Sequence, residues 1–291
     1  MSILILGASG QVGQQLASAL PQAISWDRND ADLTDLPTVR AKLDTLQPDV
    51  IINAAAYTAV DQAESDAVTA WTVNAALPAL LADFADRSDA LLVHYSTDYV
   101  FSGREEGAYT SADPFLPLNA YGRSKLAGDL SISTLCRKSW IIRVGWVFSP
   151  HRSNFVKSMI GLARSRDELR IVSDQLGTPT FAGDIARATV ELIATEGVDR
   201  PAYGTHHLPG GPAVSWYDFA KTILEEALSR GLIDALPRIT AIPTSEYPTA
   251  ATRPANTTLS MSPDLTRVLS ADPDWRQGLR ITLDSLKDSG N

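Results

Sequence analysis

A branched-apolar run that stops on glycine at residue 7, within "ILILGASGQVG", leaves few folds open to this chain. Ile3 to Leu6 have the pattern of a short strand buried on both faces, as in a parallel sheet. A helix follows within a few residues, with Val12, Leu16 and Leu20 on one face. Between them, Gly7, Gly10 and Gly13 stand in a G-x-x-G-x-x-G spacing. So tight a turn needs positive φ or close backbone approach, and glycine permits both. The helix N-terminus then presents free N–H groups and a partial positive charge, which suits a pyrophosphate. Glycines in this spacing mean little alone, but placed between a first strand and a first amphipathic helix they point to a dinucleotide.

The rest of the first half repeats the alternation. Strands are predicted at 23–27, 48–56, 90–98 and 139–148, and helices at 36–47 and around residue 121. The stretch 66–88 is one long helix or two. Strands that alternate with helices across short loops make a parallel sheet covered on both faces. The expected fold is therefore α/β, a Rossmann-type doubly wound parallel sheet with a smaller C-terminal substrate-binding lobe. Residues 1–150 form the NAD(P)-binding part. Residues 151–291 form mainly the lobe, with segments returning to the Rossmann core. Within the latter, 237–263 is rich in Pro, Thr and Ala and shows little periodicity.

Composition excludes some functions. A net charge of −9 repels phosphate backbones, so nucleic acid is not an expected partner. Cys136 is the only cysteine, which rules out an intrachain disulfide and reads as a small buried thiol. The first residues enter a strand without the basic segment of a signal peptide, and no apolar run reaches the ~18 residues of a membrane span. These features predict a soluble, cytoplasmic protein with no membrane partner.

Candidate chemistry gathers at strand ends. The end of the second strand is where an acidic residue meets the adenosine ribose, and Asp27 stands there. Arg28 follows it and would suit the extra phosphate of NADP, so NADH and NADPH both stay open. Asp32 and Leu33 fall where a loop could cover the adenine, or where a helix could be capped. "NAAAYT" offers small side chains for close approach to an extended ligand or for tight packing. Ser96, Thr97 and Asp98 cluster at the C-terminal end of the fourth strand, which faces the ligand crevice in such sheets. Tyr121 and Lys125 are four apart and share a helix face. A tyrosine hydroxyl ionises near pH ~10, and a nearby ammonium lowers that value. A tyrosine so tuned can deliver a proton to a carbonyl oxygen as hydride reaches the carbon, with Thr97 hydrogen-bonded to that oxygen.

"GASGQVG", "STDYVF" and "YGRSK" together resemble the extended short-chain dehydrogenase/reductase family. "PDVIINAAAYTAVDQAE", "HYSTDYVFSG", "PLNAYGRSKLAGD", "DQLGTPT", "WYDFA" and "RPANTTL" are similar to its dTDP-4-dehydrorhamnose reductase branch, in the same order from the first strand to about residue 285. The resemblance implies reduction of the C4 ketone of dTDP-4-dehydro-L-rhamnose by NADPH or NADH. It implies Thr97, Tyr121 and Lys125 as catalytic residues, with Lys125 also on the cofactor ribose. It implies cofactor contacts at Gly10, Gln11, Val12, Asp27, Asp32, Leu33, Ala56, Tyr57 and Thr58, and sugar contacts at Asp98 and Trp146. Arg253 would meet the nucleotide diphosphate or form a surface ion pair.

The chain departs from that branch at Gln15, where some members carry a glutamate that helps bind magnesium between protomers. An amide is a poor ligand for a hard cation, so no metal is expected, while a homodimer stays open. His94, His151, His206 and His207 show no zinc spacing and read as structural or surface residues. Three other functions compete: a nucleotide-sugar 4-epimerase or dehydratase, a reductase of a different sugar, and a non-catalytic regulatory subunit. Tyr99 rather than Glu follows Asp98, which argues against a dehydratase. The retained Thr97, Tyr121 and Lys125 argue against lost catalysis.

Overall fold

In a computed structural model that describes residues 1–104, 106–195 and 200–289, the strands of the first half form one sheet. They are β1 (Ile3–Leu6), β2 (Ile24–Trp26), β3 (Val50–Asn53), β4 (Leu91–Thr97) and β5 (Ser139–Val144). β10 (Gly204–His207) joins them from the second half and pairs with β5. The six-stranded order is β10-β5-β4-β3-β1-β2, and every pairing is parallel. The order reverses at β1, so the crevice for a ligand opens beyond the C-terminal ends of β1 and β3.

Strand alternation assigns the two faces. Ile3 and Ile5 pack with Leu16 of α1 (Gln11–Ala19), with Leu20 at its C-cap, and with Ile185 and Leu192 of α7 (Ala182–Ala194). Leu4 and Leu6 pack with Val39 of α2 (Leu36–Leu46), Leu81 and Phe84 of α4 (Leu77–Arg87) and Ile132 of α5 (Ala120–Leu135). Cys136 is buried beside Ile132, as expected.

Three expectations need correction. Residues 66–88 are neither one α-helix nor two separate ones: α3 (Ala67–Trp71) runs through a π segment, Thr72–Ala76, into α4. By length and composition alone, Ala67–Arg87 could cross a membrane, which the sequence reading did not anticipate. Leu77, Leu81, Ala82, Phe84 and Ala85 are nevertheless buried in the protein core, the ordinary reason for such a helix. The strand predicted at 139–148 breaks after Val144. Trp146 takes a left-handed backbone (φ 46°), and β6 (Val147–Phe148) leaves to pair with β9 (Thr180–Phe181). Finally, 237–263 contains a regular strand, β12 (Arg238–Ile242), parallel to β7 (Glu168–Val172). Only Ile242 of β12 is fully buried, so its alternation is weak.

A second hydrophobic core lies in the latter half. It joins Met159 and Ile160 of α6 (Phe155–Ala163) to Phe219 and Leu224 of α8 (Trp216–Ser229) and to Trp275 and Leu283 of α10 (Trp275–Asp288). Trp275 is 1% exposed, meets Phe219 edge-on, and donates Nε1–H to Pro212 O at 3.0 Å. Trp275→Ala should therefore destabilise the fold by about 3–5 kcal/mol, read from urea unfolding midpoints. A loss below about 1 kcal/mol would show that this core does not depend on the indole.

Candidate active site

The glycine loop closes on its neighbours. Gly7 has φ 76°, and its N–H and that of Ala8 both donate to Trp26 O at the end of β2, at 3.0 and 3.1 Å. A Cβ on Gly7 would lie 2.7 Å from the Ala55 backbone, just past β3. Gly10 stands at the N-cap of α1 with no side chain capping the helix, and the first turn holds no acidic residue. The leading N–H groups are thus free for an anion. Val12 packs into the sheet core. The Gln11 amide donates to Val147 O and accepts from Ser149 and Asn154, so it ties this turn to the second half.

The remaining cofactor candidates line the same edge. Asp27 accepts from the Asn29 N–H at 2.7 Å, and Arg28 is exposed. Asp32 does not cap α2, because Asp35 does; it accepts instead from the Thr34 N–H and hydroxyl, which lower its pKa. Leu33 is half-buried against the sheet. Ala56 and Thr58 are exposed beyond β3. Tyr57 turns inward, donates to Asp66 at 3.1 Å, and shares an apolar cluster with Tyr121.

Thr97 ends β4 and caps a short 3-10 turn, Asp98–Val100. Its hydroxyl accepts from the Tyr99 N–H at 3.2 Å and donates to Asp98 Oδ1 at 3.0 Å. Asp98 is buried, and burial raises its carboxyl to about 6 against the pull of the Thr257 and Thr97 hydroxyls. Tyr121 lies in the first turn of α5, capped by Asn119, whose side chain accepts from the Gly122 N–H. Any Cβ on Gly122 would sit 2.3 Å from Tyr99 O, so glycine lets α5 press against the turn that follows Thr97. The Tyr121 ring meets Tyr99 edge-on at 5.8 Å.

Two residues of "TAVDQAE" hold this arrangement. Glu64 Oε1 accepts from the Ala120 N–H at 2.7 Å and so secures the start of α5. Asp61 accepts from the Ala251 N–H at 3.0 Å and from Arg253 at 2.6 Å. Asn74, in the π segment, hydrogen-bonds both backbone groups of Tyr57 and the Ser124 hydroxyl.

Tyr121 and Lys125 lie one turn apart on α5, and the groups around each differ. Burial holds the Tyr121 phenol above the ordinary tyrosine range, partly offset by the Thr97 hydroxyl. The Lys125 amine is bonded to Tyr95 O at 2.7 Å and to His94 Nε2 at 3.1 Å. Burial also lowers Lys125 to about 8, opposed by the Asp129 carboxylate. His94, expected to be structural or surface, is fully buried against Lys125.

Trp146 stacks face to face on Trp216, with centroids 3.4 Å apart. Trp216 borders a cavity of about 590 Å³ that is also lined by Arg166, Arg170, Gln175, Tyr247 and Arg253. Thr97, Tyr121 and Lys125 do not line this cavity. It connects to them through Arg253, whose Nη1 donates to the hydroxyl of Tyr99, the ring that meets Tyr121. Arg253 forms the expected ion pair, with Asp61, and also lines the cavity. Trp216, Arg166 and Arg170 went unnoticed in the sequence, although Trp216 opens the quoted "WYDFA". Gln15 lies on α1, and among the described residues no group of three or more metal-ligating side chains converges.

Comparison with known proteins gives one consistent result. The family model described as RmlD substrate binding domain matches residues 1–288. The dTDP-4-dehydrorhamnose reductase of Aggregatibacter actinomycetemcomitans is 41% identical over 288 residues, covering 96% of this chain and 97% of that protein. The crystal structure of a Clostridium acetobutylicum dTDP-4-dehydrorhamnose reductase superposes with a TM-score of 0.89 at 36% identity, covering 99% of this chain and 100% of that one. The Bacillus anthracis enzyme, in complex with NADP, superposes with a TM-score of 0.89 at 32% identity, covering 98% and 100%.

Proposed function

This chain belongs to the RmlD substrate binding domain family, and we propose that it reduces the C4 ketone of dTDP-4-dehydro-L-rhamnose to dTDP-L-rhamnose. One observation carries the reading. The backbone after β3 touches the glycine loop at Ala55 and the catalytic helix at Tyr57, so a dinucleotide on α1 and a ketone beside Thr97 and Tyr121 share one crevice. The uncapped N-terminus of α1 and its glycine cradle fit the pyrophosphate of a nicotinamide dinucleotide. When bound, that cofactor supplies the hydride and leaves as its oxidised form.

The protein's own groups do the rest. Gln11, Val12 and Gly13 present backbone N–H groups to the phosphates, while the Gly10 N–H closes the loop onto Gly7 O. Asp27, Arg28, Asp32 and Leu33 border the adenosine end, and Ala56, Tyr57 and Thr58 the middle. Thr97 Oγ1 orients the ketone oxygen. Tyr121 gives its proton to that oxygen as the carbon is reduced, which suits a phenol that burial keeps protonated. Lys125 then neutralises the phenolate and holds the ribose. Asp98 and Trp146 bound the sugar. The Trp216 face and Arg253 of the cavity receive the nucleotide diphosphate, which makes the second half the substrate-binding lobe. A single buried thiol suits a reducing cytoplasm.

NADH and NADPH absorbance, followed separately with dTDP-4-dehydrorhamnose, tests the proposal. Net oxidation of one or both is expected. A folded protein that oxidises neither would exclude the reaction, and interconversion of sugars without net oxidation would identify an epimerase instead.

A further inference from the structure

Next to Lys125 lies a buried ion pair to which the mechanism gives no task. Asp129, one turn further along α5, and Arg143 of β5 are 2% and 1% exposed. Asp129 Oδ2 accepts from the Ser96 hydroxyl at 2.7 Å and from Arg143 Nη2 and Nε at 3.2 and 3.3 Å. Three donors on one oxygen favour the carboxylate over the acid. Asp129 Oδ1 accepts no hydrogen bond from the described residues. It lies 4.0 Å from His94 Nε2, which in turn is 3.1 Å from Lys125 Nζ. The carboxylate thus gives one oxygen to a guanidinium and leaves the other, unbonded, on the side of His94 and the lysine.

Counting charges gives that oxygen a purpose. Arg143 is a cation at any working pH, and Lys125 brings a second into the same buried cluster. His94 adds none, because burial and then the charge of Lys125 lower it well below its ordinary value. Beside Arg143, His207 of β10 is neutral too, lowered to about 4 by burial and then by Arg143. Tyr121, one turn back from Lys125, is held protonated by burial. Asp98 and Glu64 face the start of the helix, at Tyr121 and the Ala120 N–H. Among the described residues, Asp129 is therefore the anion that acts on Lys125. We infer that Asp129 is a positioning residue: it is the counter-charge that keeps Lys125 an ammonium, while Arg143 and Ser96 keep Asp129 a carboxylate. The inference rests on the proposed reaction only in setting Lys125 to neutralise the Tyr121 phenolate. Burial lowers Lys125 to about 8 and Asp129 opposes that fall, so the amine is mostly charged at neutral pH, as that task requires.

The test is an NMR titration of the full chain carrying ¹³C,¹⁵N-labelled lysine and aspartate, with Lys125 assigned through Lys125→Met. Asp129→Asn keeps the shape and removes the charge. Asp129→Asn combined with Arg143→Met removes both ions, so that no guanidinium is left buried alone. In either variant the Lys125 midpoint should fall by about one pH unit or more. The amine is charged only below its midpoint, so the high-pH limb of kcat/KM should move down by the same interval, and turnover lost at neutral pH should return on acidification. A merely structural Asp129 would lower the melting temperature and leave midpoint and profile where they were. A folded variant in which Lys125 keeps its wild-type midpoint would overturn the inference. If neither variant folds, the wild-type Asp129 carboxyl carbon decides. It should have the chemical shift of a carboxylate at neutral pH and should move again as Lys125 titrates; the shift of a carboxylic acid, or no response to Lys125, would overturn the inference. No substrate enters the titration, so a wrong substrate assignment shows only as absent turnover and leaves this result standing.

Discussion

Tyr121→Phe is expected to lower kcat by about 10²–10⁴-fold and to leave cofactor affinity unchanged. The substitution removes one oxygen. The ring keeps its edge-on contact with Tyr99 and its place in the cluster with Tyr57, so α5 and the strand end hold their geometry. What disappears is the proton that meets the ketone oxygen. The Thr97 hydroxyl does not substitute for it, because a hydroxyl that accepts from Tyr99 and donates to Asp98 has no acidic proton to give at neutral pH. Cofactor binding by fluorescence and turnover with dTDP-4-dehydrorhamnose separate the two effects. A variant retaining more than about a tenth of wild-type kcat would remove Tyr121 from the acid's role.

That role was legible in the sequence as a spacing, but its supports were not. The glycine loop, the parallel sheet and the Tyr121 helix follow from local patterns, since strand and helix periods show in consecutive residues. The contacts of Lys125 depend on how a strand and a helix are placed together. His94 and Ser96 are two apart on β4, roughly 6.6 Å, and Lys125 and Asp129 are four apart on α5, roughly 6 Å. The matched rise sets His94 against Lys125 and Ser96 against Asp129. Polar residues at i and i+2 of a buried strand, beside ionisable ones at i and i+4 of the next helix, are a readable signal once the two elements are taken as packed. The break at Trp146 was hidden for the opposite reason. "SWIIRVGWVF" is mostly apolar and extended in character, and the left-handed backbone of Trp146, just after Gly145, ends the strand. Such strain is local and gathers at sites. Here it delivers the indole to Trp216 and so to the wall of the cavity.

Gly13→Ala is expected to weaken cofactor binding by at least about 100-fold, or about 2.7 kcal/mol. The new Cβ would lie 2.2 Å from Gly7 O, 2.7 Å from Ala8 Cα and 2.9 Å from Gly7 C. All three atoms are backbone, so no side chain can swing away. Either the loop or the start of α1 must move, and both carry the N–H groups proposed to hold the pyrophosphate. The same overpacking should cost about 1–3 kcal/mol of stability, because Gly7 is pinned to Trp26 O on one side and lies against Ala55 on the other. Gly161→Ala is the matched control. It lies on an exposed face of α6, where a Cβ meets nothing, and alanine there favours the helix by up to about 1 kcal/mol. Fluorescence titration with NADPH and NADH, alongside thermal melts, distinguishes the two positions. Wild-type affinity in Gly13→Ala would mean that the loop does not seat the phosphates, and the hydride donor would have to be placed elsewhere in the crevice.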